Sequence, residues 1–342
     1  TYFCDGIAEE IINALTRVKG LNVAARVSSF AFNNAGESAR EIGRKLHVQT
    51  LLEGSVRQSG DHLRIGVQLI DVATGYHLWS EQYDSEQKEI FRIQGEITRS
   101  VVTSLCPLLT DESIPQSRSA TTNAKAYDFY LKGRQYFNQR RKSSLLFAEQ
   151  MFRKACEYDP GYAVAYAGVA ECHALLVHFY GGSTKSNLSE ADTASQRALE
   201  LDDQSSEAHA ARGFTLWLLG EFDEAWSEFD AAINLDPYQA ETLYLYGRAC
   251  FQRGDLAKAA QLFDQACRIH EHHEARYFSA QTRTALGKHD EALLLYRSAF
   301  RAVEQHVEMN PDDARACTMG AVSLCRLGER ELGLQWIERA LQ

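Results

Sequence analysis

A spacing of 34 residues between equivalent small and aromatic side chains is the feature that most limits what this chain can fold into. The clearest copy runs from Ser206 to Pro237. Its pattern comprises Gly213, Gly220, Ala225, Phe229 and Ala232. The matching positions 34 residues later are Gly247, Gly254, Ala259, Phe263 and Ala266. A period of this length predicts a helix pair that buries its apolar face only by stacking on further copies of itself.

The small positions have a packing role. We expect helix A and helix B of each repeat to approach closely at Gly213 and Ala225, where a larger side chain would push them apart. Phe229 then fills the space toward the neighbouring repeat. Gly220 supplies the backbone freedom that ends helix A, and Pro237 ends helix B because the residue before a proline is biased away from the α region.

The order of these positions resembles the tetratricopeptide repeat. The resemblance implies an all-α superhelical solenoid, and we place about six repeats in residues 126–342, the last of them truncated. The second repeat carries Ser195 where the motif prefers Phe and inserts HFYGGSTKSN between its helices, and the fifth extends helix B to Pro311.

Residues 1–109 lack the repeat and follow a different pattern. Helical spacing begins near Asp5, a short strand is expected at Leu21 to Ala25, and a helix at Glu37 to Leu46. From Val48 the period changes to two, which predicts three antiparallel strands with turns at Ser59-Gly60-Asp61 and Thr74-Gly75. A long helix opened by Asp84 and Gln87 follows. The order predicts an α/β domain with one mixed sheet, whose first strand lies upstream of Thr1.

Three segments of this region resemble the domain related to the amino-terminal domain of the Tol-system protein TolB. They read DGIAEEIINAL, LLEGSVRQSGDHLRIGVQLIDVATGYHLWSEQYD and IFRIQGEITRSVV. The resemblance implies a bacterial multidomain regulator in which an upstream part is either a class III adenylate/guanylate cyclase or a winged-helix DNA-binding domain. Residues 110–125, polar and rich in Ser and Thr, are predicted to be the linker to the repeats.

Composition narrows the possible functions. The net charge of −10 argues against nucleic-acid binding through this chain, since phosphate binding needs a concentrated basic face. We expect no membrane segment and no signal peptide, because no run of about 18 apolar residues occurs. Eight cysteines without a C-x-x-C pair indicate reduced thiols in a cytoplasmic protein. The abrupt start at TYFCDG suggests a piece of a longer protein.

Side chains with chemistry of their own are sparse. No P-loop, G-x-S-x-G, H-E-x-x-H or Ser-His-Asp arrangement occurs, so we expect no catalysis within these residues and no cofactor. Residues 270–273, of sequence HEHH, form the densest group of metal-ligand types. Neighbouring residues in a turn point in different directions. We therefore expect a solvated turn between repeats and no metal site without distant partners.

The inner face of the repeat array is the candidate binding surface, because aromatic and Arg side chains dominate interface energetics. The residues expected on this concave face are Tyr127, Tyr130, Arg134, Phe137, Phe214, Trp217, Tyr244, Arg248, Phe251 and Tyr277. Some of them could instead pack only between repeats. The Lys and Asn of a chaperone-tail carboxylate clamp are absent, since Tyr130, Arg134, Tyr244 and Arg248 occupy those positions.

Two functions stay open. The first is a non-catalytic regulatory fragment whose repeats bind a protein or peptide partner and couple that event to an upstream output domain. The alternative is an α/β domain that senses a small molecule, with the repeats serving as scaffold or homodimer interface. Fold alone does not separate them.

Overall fold

The computed structural model describes residues 2–18, 21–24, 26–30, 32, 36–59, 62–86, 89–105, 121–181, 184–269 and 272–341. The chain forms two compact units. Unit 1 comprises Thr1–Arg26 and Asn34–Leu235, and unit 2 comprises Val27–Asn33 and Asp236–Gln342.

The described residues of the N-terminal part of the chain form four helices and three strands. Their bounds are α1 Tyr2–Thr16, α2 Arg26–Phe30, α3 Ala39–Leu46, β1 Thr50–Ser59, β2 His62–Asp71, β3 His77–Glu86 and α4 Ile90–Leu105. The strands form a meander in the order β1-β2-β3, with Thr50 opposite Asp71 and His62 opposite Glu86. Helix α3 begins with a capping box, in which the Ser38 hydroxyl and the Glu41 carboxylate each accept from the other's backbone N–H.

Burial in this region follows the two sequence periods. On β2, alternate residues Leu63, Ile65, Val67 and Leu69 are buried, as the period of two predicts. On α4, Ile93, Ile97 and Val101 form a buried stripe, and helix α4 contacts both β3 and α1. The meander and the long helix predicted from the sequence are therefore present.

Three local predictions for this region were wrong. Residues 21–24 form no strand, and the sheet of the described residues is wholly antiparallel, not mixed. Asp84 does not open a helix: it lies in β3 and accepts a hydrogen bond from Arg64 Nε at 2.6 Å across the strands. The backbone pairing of β3 with β2 continues beyond Asp84 to Glu86, opposite His62. Gln87, Gly60 and Asp61 lie outside the described residues, as do residues 110–120 of the expected linker.

Unit 1 also holds the first three repeats. Their helices are α5 Ala124–Phe137, α6 Lys142–Tyr158, α7 Ala163–Tyr180, α8 Thr184–Leu201, α9 Ser206–Leu219 and α10 Phe222–Leu235. Helix α5 begins two residues before the predicted start of the array because Asn123 caps it, accepting from the backbone N–H groups of Lys125 and Ala126.

Unit 2 holds the remaining three repeats. Their helices are α11 Ala240–Arg253, α12 Leu256–Ile269, α13 His273–Ala285, α14 His289–Met309, α15 Ala314–Arg326 and α16 Arg330–Ala340. The 21 residues of α14 agree with the predicted extension of helix B in the fifth repeat.

The glycines at the small position of helix A, Gly133, Gly213 and Gly247, each face an aromatic ring of helix B. A Cβ placed on Gly133 would lie 2.5 Å from Phe152, and one on Gly247 would lie 2.6 Å from Phe263. Phe152 also contacts Gly168 of the following repeat, where an added Cβ would lie 2.9 Å away. The aromatic residue of helix B therefore fixes the spacing both within a repeat and toward the next one.

The second repeat departs from this pattern in two ways. Its insertion lengthens the helices, so that α7 and α8 each have 18 residues. At the aromatic position, the fully buried Ser195 accepts a hydrogen bond from Arg212 Nη1 at 3.2 Å, and the same guanidinium pairs with Asp192. A polar network replaces the ring at this junction.

One described helix, α7, is long and apolar enough to cross a membrane by length and composition alone. It contacts α6, α8 and α9, and 61% of it is buried inside the structure, as expected for a core helix of the array.

We predict that Gly213→Leu destabilises the array by about 1 to 3 kcal/mol, because overpacking a filled core forces its neighbours to shift. An added Cβ at Gly213 would lie 3.0 Å from Phe229 and 3.2 Å from the backbone oxygen of Ala225. Thermal unfolding followed by circular dichroism measures the effect. Glu221→Ala, at an exposed position, is the matched control. Equal midpoints for the two variants would show that the repeat register is wrong.

Candidate interaction surfaces on the repeats

The ten residues expected on the concave face divide by burial. Those that are less than a tenth exposed, or at that limit, are Tyr127, Tyr130, Phe137, Phe214, Trp217, Tyr244 and Tyr277. Arg134, Arg248 and Phe251 are half-buried. The aromatic side chains therefore mainly pack against their neighbours. The two Arg side chains carry the charge and the hydrogen-bond donors of this face.

In unit 1, Arg134 is paired with a carboxylate from the N-terminal helix. Its Nη2 donates to Glu9 Oε1 at 2.6 Å, while Glu9 Oε2 accepts from Asn138 Nδ2 at 3.0 Å and from Arg26 Nε at 2.8 Å. Glu9 is 6% exposed, so its charge is almost entirely removed from water. One carboxylate of α1 therefore holds two guanidinium groups and an amide, two of them from repeat 1.

The electrostatics of this cluster favour an ionised Glu9. Burial alone would raise the pKa of the Glu9 carboxyl, but the charges of Arg134 and Arg26 outweigh burial and hold the pKa below its ordinary value. The pKa of the neighbouring Glu10 shifts in the opposite direction, although Arg134 lowers it too. Burial and the adjacent Glu9 carboxylate raise the pKa of Glu10 to about 7.

Close packing accompanies the ion pair. A Cβ on Gly6 would lie 2.5 Å from Leu131, so α1 approaches α5 at a position that only glycine allows. Gln135 Nε2 also donates to Asp5 at 3.3 Å. Helix α1 therefore docks on the first repeat through a small residue and, one turn later, an acidic one.

Repeats 1 and 4 share the sequence pattern that builds this surface. YLKGRQYF at residues 130–137 aligns with YLYGRACF at residues 244–251, so Arg134 and Arg248 are equivalent. The tyrosines play the same part in each: Tyr130 packs on Phe152 with ring centroids 5.7 Å apart, and Tyr244 packs on Phe263 at 6.3 Å.

In unit 2, Arg248 is held by aromatic residues. Its Nη1 donates to the Tyr244 hydroxyl at 2.9 Å, and its guanidinium carbon lies 4.0 Å from the centroid of the Phe278 ring. Phe278 is fixed in turn by an edge contact with Phe251. Within the part of the chain that the structure describes, no carboxylate lies within 4.0 Å of Arg248. This Arg is therefore oriented by stacking and retains donors for a ligand.

Phe214 and Trp217 belong to a third arrangement, inside unit 1. Their rings pack on each other and on His178, which lies in the lengthened part of α7. The residues that contact these predicted surface residues and were not themselves predicted from the sequence are His178, Glu9 and Phe278. Phe278 follows Tyr277 directly and could have been included, whereas Glu9 lies 125 residues from Arg134 and leaves no local signal.

Two groups of His and carboxylate side chains have the spacing of metal ligands among the described residues. One is His273, His306 and Asp313, and the other is Glu241, His272 and Glu274. The neighbouring His272 and His273 thus belong to different groups, as expected for successive residues near a turn. His270 and Glu271 lie outside the described residues.

Comparisons with known proteins agree with this architecture. Residues 219–299 match the model of the family described as "Anaphase-promoting complex, cyclosome, subunit 3", whose repeats are of the tetratricopeptide type. The human IFIT1 dimer, solved with m7Gppp-AAAA, superposes with a TM-score of 0.52 at 16% identity, over 74% of this chain and 58% of that one. At this identity the likeness concerns the fold alone.

Two bacterial proteins are similar over most of the chain. "Putative adenylate cyclase 3" of Rhizobium meliloti is 37% identical over 227 residues, which cover 66% of this chain and 38% of that protein. Transcriptional regulator HilA of Salmonella typhimurium is 21% identical over 231 residues, covering 67% of this chain and 41% of HilA. The matched segment is thus about two fifths of each relative.

The helix pairs, their glycine–aromatic contacts and the matched family model confirm that the chain contains tetratricopeptide-type repeats, a scaffold for protein–protein interaction. The surfaces around Arg134 and Arg248 are the places in this scaffold where charge, stacking and partial exposure coincide.

Replacing Glu9 by Gln should destabilise unit 1 by about 1 to 3 kcal/mol, because Arg134 and Arg26 then lose the buried carboxylate with which both of them pair. Thermal unfolding and limited proteolysis of the N-terminal helix measure the loss. Glu37→Gln is the control, since it removes an ion pair with the exposed Lys45. If both variants resist protease equally, α1 is held by packing and not by its carboxylate.

Glu10→Gln should stabilise the chain increasingly as pH rises. The folded-state pKa of Glu10, about 7, is raised above the unfolded value, so the wild type loses stability as pH increases through 7 and the glutamine does not. We expect the variant's advantage to be about 1 to 2 kcal/mol larger at about pH 8.5 than at about pH 5. Urea unfolding of both proteins at the two pH values gives the difference. An advantage that is the same at both would contradict a raised pKa.

Proposed function

We propose that this chain is a non-catalytic, protein-binding regulatory module of a bacterial signalling protein, and that the Arg248 surface of unit 2 takes an acidic segment of the partner. The observation that carries the proposal is the Glu9–Arg134 pair. The same repeat position, in the same local sequence, binds a carboxylate within the chain itself.

The state of Arg248 supports this role. Stacking on Phe278 and the hydrogen bond to Tyr244 reduce the freedom that a partner would have to remove on binding. A planar guanidinium held in this way matches the two oxygens of a carboxylate. Phe251, half-buried beside it, adds apolar contact.

The docking of α1 indicates the chemistry of a suitable partner. There, Gly6 allows close approach and Glu9, one turn later, supplies the charge. We infer that the partner presents a helix with a small residue and a carboxylate three or four positions apart, which lie on one helix face.

Helix α1 also offers a route for coupling. In a longer protein, an output domain placed before Thr1 would connect directly to α1, so binding on the repeats could be conveyed through the helix docked on repeat 1. The adenylate cyclase and regulator names of the two relatives favour a cyclase or a DNA-binding domain in that place. The assignment of residues 1–109 to a TolB-like domain, residues 110–125 to a linker, and the protein to the cytoplasm remain predictions within this proposal.

A small-molecule sensor in residues 1–109, with the repeats as scaffold or dimer interface, stays the alternative. No contact described above favours it. It predicts that changes at Arg248 leave partner capture unchanged.

Arg248→Ala should reduce recovery of the specific partner at least tenfold, because loss of a hot-spot Arg costs about 2 kcal/mol or more. The measurement is a quantitative pull-down from the native host with wild type, Arg248→Ala and Arg301→Ala, the last an exposed Arg of the same unit. A partner retained by wild type and Arg301→Ala but lost from Arg248→Ala supports the proposal.

Tyr244 should stay intact in this test. It is 2% exposed and packs on Phe263, His272 and Phe278, so its removal would disturb the repeat as well as the surface. Equal recovery of every partner by all three proteins would exclude Arg248 from the binding site.

A further inference from the structure

Three helix ends meet at one point of unit 2. His273 is the first residue of α13, His306 lies in the last turn of α14, and Asp313 is the N-cap of α15. The lengthening of α14 is what brings His306 to this place, since a helix B of 14 residues, as in α12, would end well before it.

The ligand atoms of these three side chains lie close together. His306 Nε2 lies 3.0 Å from Asp313 Oδ2, the His273 and His306 rings are stacked with centroids 4.1 Å apart, and the three ligand atoms lie within 4.8 Å of each other. Two ligands of one tetrahedral Zn²⁺, each about 2.0–2.1 Å from the ion, lie about 3.3 Å apart. The His306–Asp313 separation already has this size, and the ligand atom of His273 lies within 4.8 Å of the other two.

We propose that His273, His306 and Asp313 form a binding site for a first-row divalent transition metal of the Zn²⁺ class. Two imidazoles and one carboxylate suit such an ion in both ligand type and number, and the fourth position is left to water or to a partner's side chain. The distant partners that the sequence of residues 270–273 lacked are His306 and Asp313, 33 and 40 positions beyond His273.

The carboxylate of Asp313 can bind an ion without giving up its structural role. Its Oδ1 accepts from the backbone N–H groups of Arg315 and Ala316 at 3.1 Å and caps α15, while Oδ2 faces His306. The backbone therefore orients the carboxylate, as hydrogen bonds to metal-binding side chains do in known metal sites.

The surrounding charges are mixed. Arg315 lies 3.9 Å from Asp313 Oδ1 and opposes a cation, but its guanidinium also lies 3.9 Å from Glu274, which offsets part of that charge. A bound ion would join α13, α14 and α15, and so tie the fifth repeat to the sixth.

Zinc titration of the whole chain, freed of metal by chelation and desalting, tests the site. Isothermal calorimetry and thermal unfolding with added ZnCl₂ are measured for wild type, His306→Gln and Asp313→Asn. The asparagine retains the cap, because Asn is as good an N-cap as Asp. We expect one Zn²⁺ per chain with a rise in unfolding temperature, about 100-fold weaker binding by His306→Gln and at least about tenfold weaker binding by Asp313→Asn.

Two controls make the result specific. His289→Gln removes an exposed histidine of α14 and should bind zinc as the wild type does. Glu241→Gln alters the second group of ligand types and should also leave binding unchanged. Absence of zinc binding by the wild type, or binding that responds to Glu241→Gln and not to His306→Gln, would overturn the assignment. Circular dichroism without metal verifies that each variant is folded.

Discussion

The contact between a glycine of helix A and an aromatic ring of helix B is the constraint on which the repeats depend. Phe152 lies between Gly133 of its own repeat and Gly168 of the next, so one ring sets two helix spacings. Phe263 and Gly247 repeat the arrangement in unit 2. The pattern requires glycine at one position and an aromatic residue at the other, so it is easy to recognise in a sequence.

This explains why the repeats could be predicted in detail. Their contacts are local: Phe152, Phe229 and Phe263 each contact a glycine about 16 to 19 positions away, and the Gly213–Phe229 pattern recurs 34 residues later at Gly247–Phe263. The strands were equally visible, since β2 buries every second residue. The prediction at Asp84 was wrong because its local sequence is compatible with two structures. Asp84 has the sequence context of a helix cap, but it lies in β3 opposite Arg64 of the adjacent strand, with which it forms an ion pair.

The candidate surfaces were predicted only in part. Position within the repeat identified Arg134 and Arg248, but it could not separate an aromatic residue that packs from one that faces solvent. Nor could it find Glu9, whose partner is distant in sequence and whose role depends on how α1 docks. An ion pair between residues 125 positions apart leaves no local sequence pattern, so it is found only in the three-dimensional structure. Equivalent positions in repeats 1 and 4 consequently differ in electrostatics while sharing nearly the same sequence.

The polar junction between the second and third repeats affects how the array comes apart. Stability in such arrays is close to a sum of each repeat's own term and the terms between neighbours, so the weakest interface is where the stack separates first. Around Ser195 the junction has a small hydroxyl, Arg212 and Asp192 in place of the usual ring, whereas the rings of Phe214 and Trp217 pack on His178 in another part of it. Hydrogen bonds exchange with water at little net gain, whereas a buried ring removes apolar area from it. We therefore expect the stack of unit 1 to open first around Ser195. Native-state amide exchange in α8 and α9 should then occur through this local opening, at a lower free energy than global unfolding.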